Sequence, residues 1–129
     1  MPILTRRWND IPGHGDGHRL LITRYRPRGV ARVDETWDEW QPALGPSRSL
    51  HGAVYKQDAS PIPWPQYRKR YIAEQRANAN IIQGLARLVA AGETITLLCS
   101  SACVREPRCH RSILKELIEA AIAGIAAAD

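Results

Sequence analysis

TITLLCSSACVREPRCHRSILKELIEAAI, residues 94–122, decides the fold of this chain. Residues 94–99 are apolar and β-branched, which reads as a buried strand. Ile113, Leu114, Leu117, Ile118, Ala121, Ile122 and Ile125 recur at helical spacing. Between strand and helix lies a loop that, with its flanks, carries all three cysteines, a histidine and Arg105, Arg108 and Arg111. A strand that feeds a helix through a chemically rich loop is the unit of an α/β sheet.

Upstream, the pattern repeats. Residues 64–91 read as a long helix, with Pro65 suited to its first turn. Tyr67, Tyr71, Ile82, Leu85 and Val89 form its apolar face, and Gly92 is a stop signal. The face is weak from Arg76 to Asn80, where a break is allowed. Residues 51–63 read as irregular. Ser47 can cap one turn through Leu50. Asp34 can cap a short helix that carries Trp37 and Trp40, ended by Pro42 and Gly45-Pro46. Residues 20–25, LLITRY, read as a second buried strand that stops at Arg26-Pro27-Arg28-Gly29. Residues 9–18 are a glycine-rich loop, and residues 2–8 read as a short strand. Helices between apolar strands give an α/β fold: one small Rossmann-like domain over residues 1–129, its mostly parallel sheet flanked by helices. Ligands of such folds bind beyond the carboxyl ends of the strands. Two of those ends are rich in chemistry, residues 24–29 and 99–111.

The 129 residues carry 44% hydrophobic and 24% charged side chains, ordinary for a globular domain with its own core. A net charge of +5 admits nucleic acid or a small anion as partner and requires neither. Three cysteines cannot all pair within one chain, which favours reduced thiols and a cytoplasmic setting. MPILTRRWND has no apolar leader, and Lys115, Glu116 and Glu119 break the most apolar stretch, so no membrane span is expected.

Cys99 ends a strand beside arginines and a helix start, a setting that favours the thiolate and hence a nucleophile. A small buried hydrophobe is the plainer reading. Cys99 and Arg105 have the spacing of a phosphatase-type anion loop, but SSACV lacks the glycine such a turn needs. Cys99, Cys103, Cys109 and His110 are zinc-ligand types within twelve residues. Adjacent Cys109 and His110 look awkward for one tetrahedral ion, and no metal or cofactor is expected. Cys109, His110 and Arg111 begin the last helix, where an anion is favoured and a histidine can move protons. Arg24, Arg26 and Arg28 alternate, as either an anion clamp or a basic edge. Arg68, Lys69, Arg70 and Arg76 fit a solvated helix face better than a nucleic-acid surface.

Together these motifs resemble a known family. Asp16-Gly17-His18-Arg19 with LLITRYRPRGV is similar to its DG-x-R opening and PRG segment. Trp40 and Gly45-Pro46-Ser47 resemble its tryptophan–APS segment. Trp64, Tyr67, Tyr71 and Glu74 resemble its helical signature, and LLCSSACVREPRCHRS its LLC…CHRS ending. The family is the domain-of-unknown-function family 488, the YeaO-like proteins, and the likeness covers about residues 16–119. It implies a small cytoplasmic α/β domain and no established reaction. Its recurring positions fall on Arg19, Arg24, Pro27, Arg28, Gly29, Ser47, Tyr71, Glu74, Cys99, Cys109, His110 and Arg111. Thr23 stands where the family usually has aspartate, and Arg26 where it has tryptophan. Cys103 lies outside the pattern.

The expectation is an anion- or nucleotide-binding domain, either a ligand-binding domain or a cysteine-dependent enzyme. Cys99, Cys109, His110 and Glu74 would carry the chemistry; Arg19, Arg24, Arg28, Ser47, Tyr71 and Arg111 would bind the ligand. A basic nucleic-acid-associated protein and a zinc-stabilised interaction module are the alternatives. Exposed Trp37 and Trp40 would favour a homodimer.

Overall fold

The computed structural model describes residues 3–55, 62–100 and 109–128. Four parallel strands form one sheet: β1 (Ile3–Arg7), β2 (His18–Leu21), β3 (Glu39–Trp40) and β4 (Ile95–Cys99), in the order β1-β4-β2-β3. The α/β expectation holds. β4 is an inner strand and wholly buried, in keeping with a run that is apolar except for Thr96. β1 and β2 pair on either side of it, Arg7 opposite Cys99 and Leu21 opposite Leu98.

The described residues also form α-helices α1 (Arg48–Tyr55), α2 (Trp64–Gln75), α3 (Ala79–Ala90) and α4 (His110–Ala128). A 3-10 turn over Arg76–Asn78 parts α2 from α3, at the break the weak apolar face allows. Asn78 anchors it by donating Nδ2 to the Ala43 carbonyl at 2.9 Å. Gly92, at φ +102°, follows the end of α3.

Alternation along β4 sorts the core. Ile95 and Leu97 join Ile3, Leu20 and Ile22 under the helices, against Leu50, Tyr71, Leu85, Val89, Leu114 and Ile118. Leu98 faces the other way with Leu21 and Trp37, and Trp8, Val30 and Trp40 pack around them. Among the described residues, the helices therefore share the core of one face, and tryptophan-bearing loops close the other. This differs from the helix-on-both-faces layering of a doubly wound Rossmann sheet. Each fully buried aliphatic side chain contributes about 1.5–3 kcal/mol, so α4 is a principal clamp on the sheet.

Three expectations need correction. The helix expected over Trp37 and Trp40 is instead a 3-10 turn, Arg32–Asp34, followed by edge strand β3. Asp38 N–H donates to the Arg19 carbonyl at 2.8 Å and Gln41 N–H to Leu21 at 2.9 Å, so sheet pairing outcompetes a helix too short to hold itself. Trp37 is 9% exposed, with its edge toward Trp8 at 6.2 Å, which removes the exposed-tryptophan argument for a homodimer. Second, α1 extends to Tyr55 where irregular chain is expected from residue 51. Third, β2 starts at His18 and ends at Leu21, although Ile22 N–H still donates to Leu98 at 3.0 Å.

Gly17 has no substitute at its position. Its φ is +63°, and a Cβ there would overlap the Thr94 carbonyl oxygen. His18 N–H then donates to that carbonyl at 2.9 Å, which starts the β2–β4 pairing.

Candidate functional site

The carboxyl end of β4 meets the first turn of α4. β4 ends at Cys99, which lies on the helix-covered face by alternation. α4 starts at His110, with Cys109 just before it. This packing brings three side chains together: Cys99 Sγ is 3.0 Å from Cys109 Sγ and 3.7 Å from His110 Nδ1, and Cys109 Sγ is 3.9 Å from His110 Nδ1. Exposures are 0%, 2% and 6%. Both cysteines are thiols, not joined in a disulfide.

His110 Nε2 lies 2.7 Å from the Ile22 carbonyl oxygen. A carbonyl only accepts, so Nε2 carries the proton. In its neutral form the imidazole then turns the Nδ1 lone pair toward both sulfurs. Nδ1 can take a proton from a thiol or share the sulfurs' third partner.

The remaining residues expected at the site act mostly as braces around this centre. The Tyr71 ring lies 5.6 Å from the His110 ring, and its hydroxyl donates to the Leu44 carbonyl at 2.6 Å. Burial, then Tyr67, the two cysteines and Glu74, push its phenol well above the ordinary tyrosine range, so Tyr71 remains a neutral donor. Glu74 accepts from Ser47 N–H at 2.9 Å and from the Ser47 hydroxyl. Ser47 Oγ in turn accepts Leu50 N–H at 3.1 Å and caps α1. Glu74 thus anchors a helix cap in this structure. Arg24 donates to the Pro46 carbonyl at 2.9 Å and the Gly45 carbonyl at 3.3 Å. A Cβ on Gly45 would overlap the Thr23–Arg24 backbone, so only glycine lets the two segments touch.

The arginine row does not act as one clamp. Arg24 binds carbonyls, Arg26 pairs with Glu35 at 2.7 Å and lies over Trp37, and Arg28 is exposed. Arg19 is remote from the thiols in its contacts: it pairs with Asp16 and donates Nε to the Thr36 carbonyl at 2.5 Å. Arg111 is different. It follows His110 in the first turn of α4 and is 5% exposed. Asp10 lies within reach of its charge. The Arg7 N–H bond, against burial, and the charges of Arg7 and Arg111 hold that carboxyl below its usual range. Cys103, Arg105 and Arg108, and with them the Cys99–Arg105 loop reading, lie outside the described residues.

The basic residues of α2 fit the solvated-face reading. Arg68 pairs with Glu116 of α4 at 2.6 Å and Arg70 donates to Ser49 Oγ at 3.3 Å, while Tyr67 and Tyr71 are core. No described helix is long and apolar enough to cross a membrane.

Spacing alone misses one member of this site: the Ile22 carbonyl, a backbone atom in an apolar strand end that orients His110. Nothing in the side-chain sequence marks it.

Comparison with known proteins shows two likenesses. A family model described as the active DUF488-N3 subclade matches residues 3–122. The uncharacterized protein YeaO of Escherichia coli (strain K12) is 31% identical over 101 residues, which is 78% of this chain and 84% of YeaO. No solved structure matches the chain significantly.

Proposed function

The chain belongs to the DUF488 family, and from that premise we propose that it is a cysteine-dependent enzyme for an anionic small molecule, centred on Cys99, Cys109 and His110. One observation carries this reading: two thiols converge on the lone pair of a histidine whose tautomer is set by the Ile22 carbonyl. A core that needed only volume would be filled by apolar side chains. A thiol facing an unprotonated imidazole nitrogen can pass its proton to that nitrogen, which leaves a thiolate and an imidazolium side by side. The description of the matching subclade as active supports an enzyme over a passive fold.

The anion is favoured by position. The centre sits at the carboxyl end of the middle strand, where α/β sheets bind ligands. The amino end of the 19-residue α4 adds its positive dipole, and Arg111 adds a full charge from that first turn. Tyr71, Glu74, Ser47 and Arg24 act as positioning residues: they tie α2, the Leu44–Ser47 segment and the chain after β2 into one frame around the centre.

Thermal-shift assays with inorganic phosphate, nucleoside monophosphates and small dicarboxylates test this. A ligand at about a hundred times its dissociation constant adds about 2.7 kcal/mol, several degrees of midpoint. We expect at least one class to stabilise the wild type and to lose that effect in Cys99→Ser and Arg111→Gln. Equal stabilisation of all three proteins would put the ligand elsewhere, and no response to any class would remove the anion from the reading.

A further inference from the structure

The three donor atoms of the centre have a geometry that a thiol enzyme alone does not require. Cys99 Sγ, Cys109 Sγ and His110 Nδ1 form a triangle with sides of 3.0, 3.7 and 3.9 Å. A point equidistant from its corners lies about 2.1 Å from each, against about 2.3 Å for zinc–sulfur and 2.0–2.1 Å for zinc–nitrogen bonds. All three residues are buried and their ligand atoms lie within 4.8 Å of one another.

The second, independent observation is the hydrogen bond from His110 Nε2 to the Ile22 carbonyl at 2.7 Å. A metal-ligating histidine almost always donates its other ring N–H to a carbonyl or carboxylate, which holds the ring and raises its basicity. Here that bond aims Nδ1 at the two sulfurs. Adjacent Cys109 and His110, awkward as ligands by spacing, can both serve because the chain turns between them into the first turn of α4.

We propose that Cys99 Sγ, Cys109 Sγ and His110 Nδ1 are three protein ligands of one borderline-soft divalent ion of the zinc class. The inference rests on the centre proposed above and assigns its cofactor: with the ion bound, both sulfurs and Nδ1 are ligands, and the thiol-to-imidazole proton transfer belongs to the metal-free protein. Two thiolates and one imidazole select such an ion over magnesium or calcium, which prefer oxygen. Charge favours it too. Two thiolates would be costly to bury alone, whereas with a divalent cation and a neutral imidazole the site sums to zero. Binding converts two thiols to thiolates and releases two protons to solvent, with no change of oxidation state. Three protein ligands of this kind leave a coordination position for water or a substrate oxygen, as catalytic zinc sites do. An anion held by Arg111 and the start of α4 would meet the ion there.

The test uses the full-length, reduced, chelator-stripped protein titrated with cobalt(II), then with zinc(II). We expect one equivalent of cobalt to bind with thiolate-to-cobalt charge-transfer absorption and the intense visible bands of a tetrahedral site, both lost when zinc is added. Cys99→Ser and Cys109→Ser should each reduce the charge-transfer band by at least half, and Cys103→Ser should keep the full spectrum. X-ray absorption of the zinc-loaded wild type is free of any folding defect in a variant, and should show two sulfurs and at least one nitrogen around the ion. A shell with fewer than two sulfurs, failure to bind one equivalent, or loss of the spectrum in Cys103→Ser would overturn the three-ligand site. Failure here with Cys99-dependent anion stabilisation intact would remove the metal and keep the thiol enzyme. Stoichiometric cobalt binding with no anion response would keep the metal and remove the anion.

Discussion

Two buried polar clusters lie on the central strand, three residues and one sheet face apart. Around Thr96, on the face opposite the described helices, two arginines converge on one carboxylate. Asp16 accepts from Arg6 Nε at 3.2 Å, from Gly13 N–H at 3.0 Å and from Arg19, and its carbonyl accepts the Thr96 hydroxyl at 2.6 Å. Around Cys99, under the helices, the members are two thiols and an imidazole, with Cys109 donating to Cys99 at 3.0 Å and both sulfurs within 3.9 Å of His110 Nδ1. The first cluster gathers its donors onto one carboxylate, with Arg19 Nη2 the one buried nitrogen of the group left without a hydrogen bond among the described residues, and it holds the loop before β2 against β4. The second converges on a point between its members, the arrangement that chemistry or a metal needs. Whether a buried polar group is structural thus depends less on its charge than on where its donors and acceptors aim.

If that contrast is right, damage to the first cluster should cost stability, and damage to the second should cost function. The largest effect should come from Asp16→Ala. It leaves the Arg19 guanidinium, on a residue 6% exposed, without its carboxylate, which costs about 3–5 kcal/mol. Urea unfolding should show it, with cobalt binding unchanged in the protein that remains folded. Equal loss of cobalt binding would mean that the clusters are coupled.

Next in size is Gly17→Ala, which forces a Cβ onto the Thr94 carbonyl at φ +63°. Backbone strain of this kind costs about 1–3 kcal/mol, read as a lower denaturation midpoint. Acid should act on the same cluster. Burial raises the Asp16 pKa, but the Gly13 N–H and the Arg6 and Arg19 charges outweigh it and hold the carboxyl below its usual range. The folded value is thus the lower one, so this stability is present above the ordinary aspartate range, about pH 4, and is lost as pH falls below it. Asp16→Asn should flatten that part of the stability–pH curve; an unchanged curve would assign the acid sensitivity to other groups.

Tyr71→Phe tests a brace of the second cluster. It removes the bond to the Leu44 carbonyl in a fully buried setting, for about 1–2 kcal/mol, and leaves the thiol–imidazole triangle in place. The smallest stability change should be Cys99→Ser, near-isosteric and within about 1 kcal/mol of wild type, while anion stabilisation is lost and cobalt charge transfer falls by at least half. A larger unfolding penalty with ligand binding retained would invert the comparison.

Much of this was legible from residue patterns. The β4 run, the periodic face of α4, the break near Arg76 and the stop at Gly92 come from local rules of period, capping and glycine freedom, and all four appear in the structure. Residues 34–40 did not follow the same logic. Tryptophans three apart fit a helix face, but burial of Trp37 against Leu21 and Leu98 and pairing of β3 with β2 are long-range choices. The site divides in the same way. Cysteine, histidine and arginine near one strand end marked Cys99, Cys109, His110 and Arg111. The same reasoning also marked Arg24, and the family resemblance marked Glu74; their partners are carbonyls and a helix cap.

The sequence by itself determined which face of each long element is apolar, because period-two and period-3.6 burial are properties of one segment. It determined that the cysteines and His110 cluster around one loop, because they are neighbours in the chain. Only the tertiary structure decided what those groups meet. The packing of α4 on β4 brings Cys109 Sγ to within 3.0 Å of Cys99 Sγ, and the end of β2 places the Ile22 carbonyl behind His110. The partner of Nε2 is a backbone atom 88 residues away, and every residue has a carbonyl, so no residue type announces it. Direction and distance, which set chemistry, come from how the segments pack.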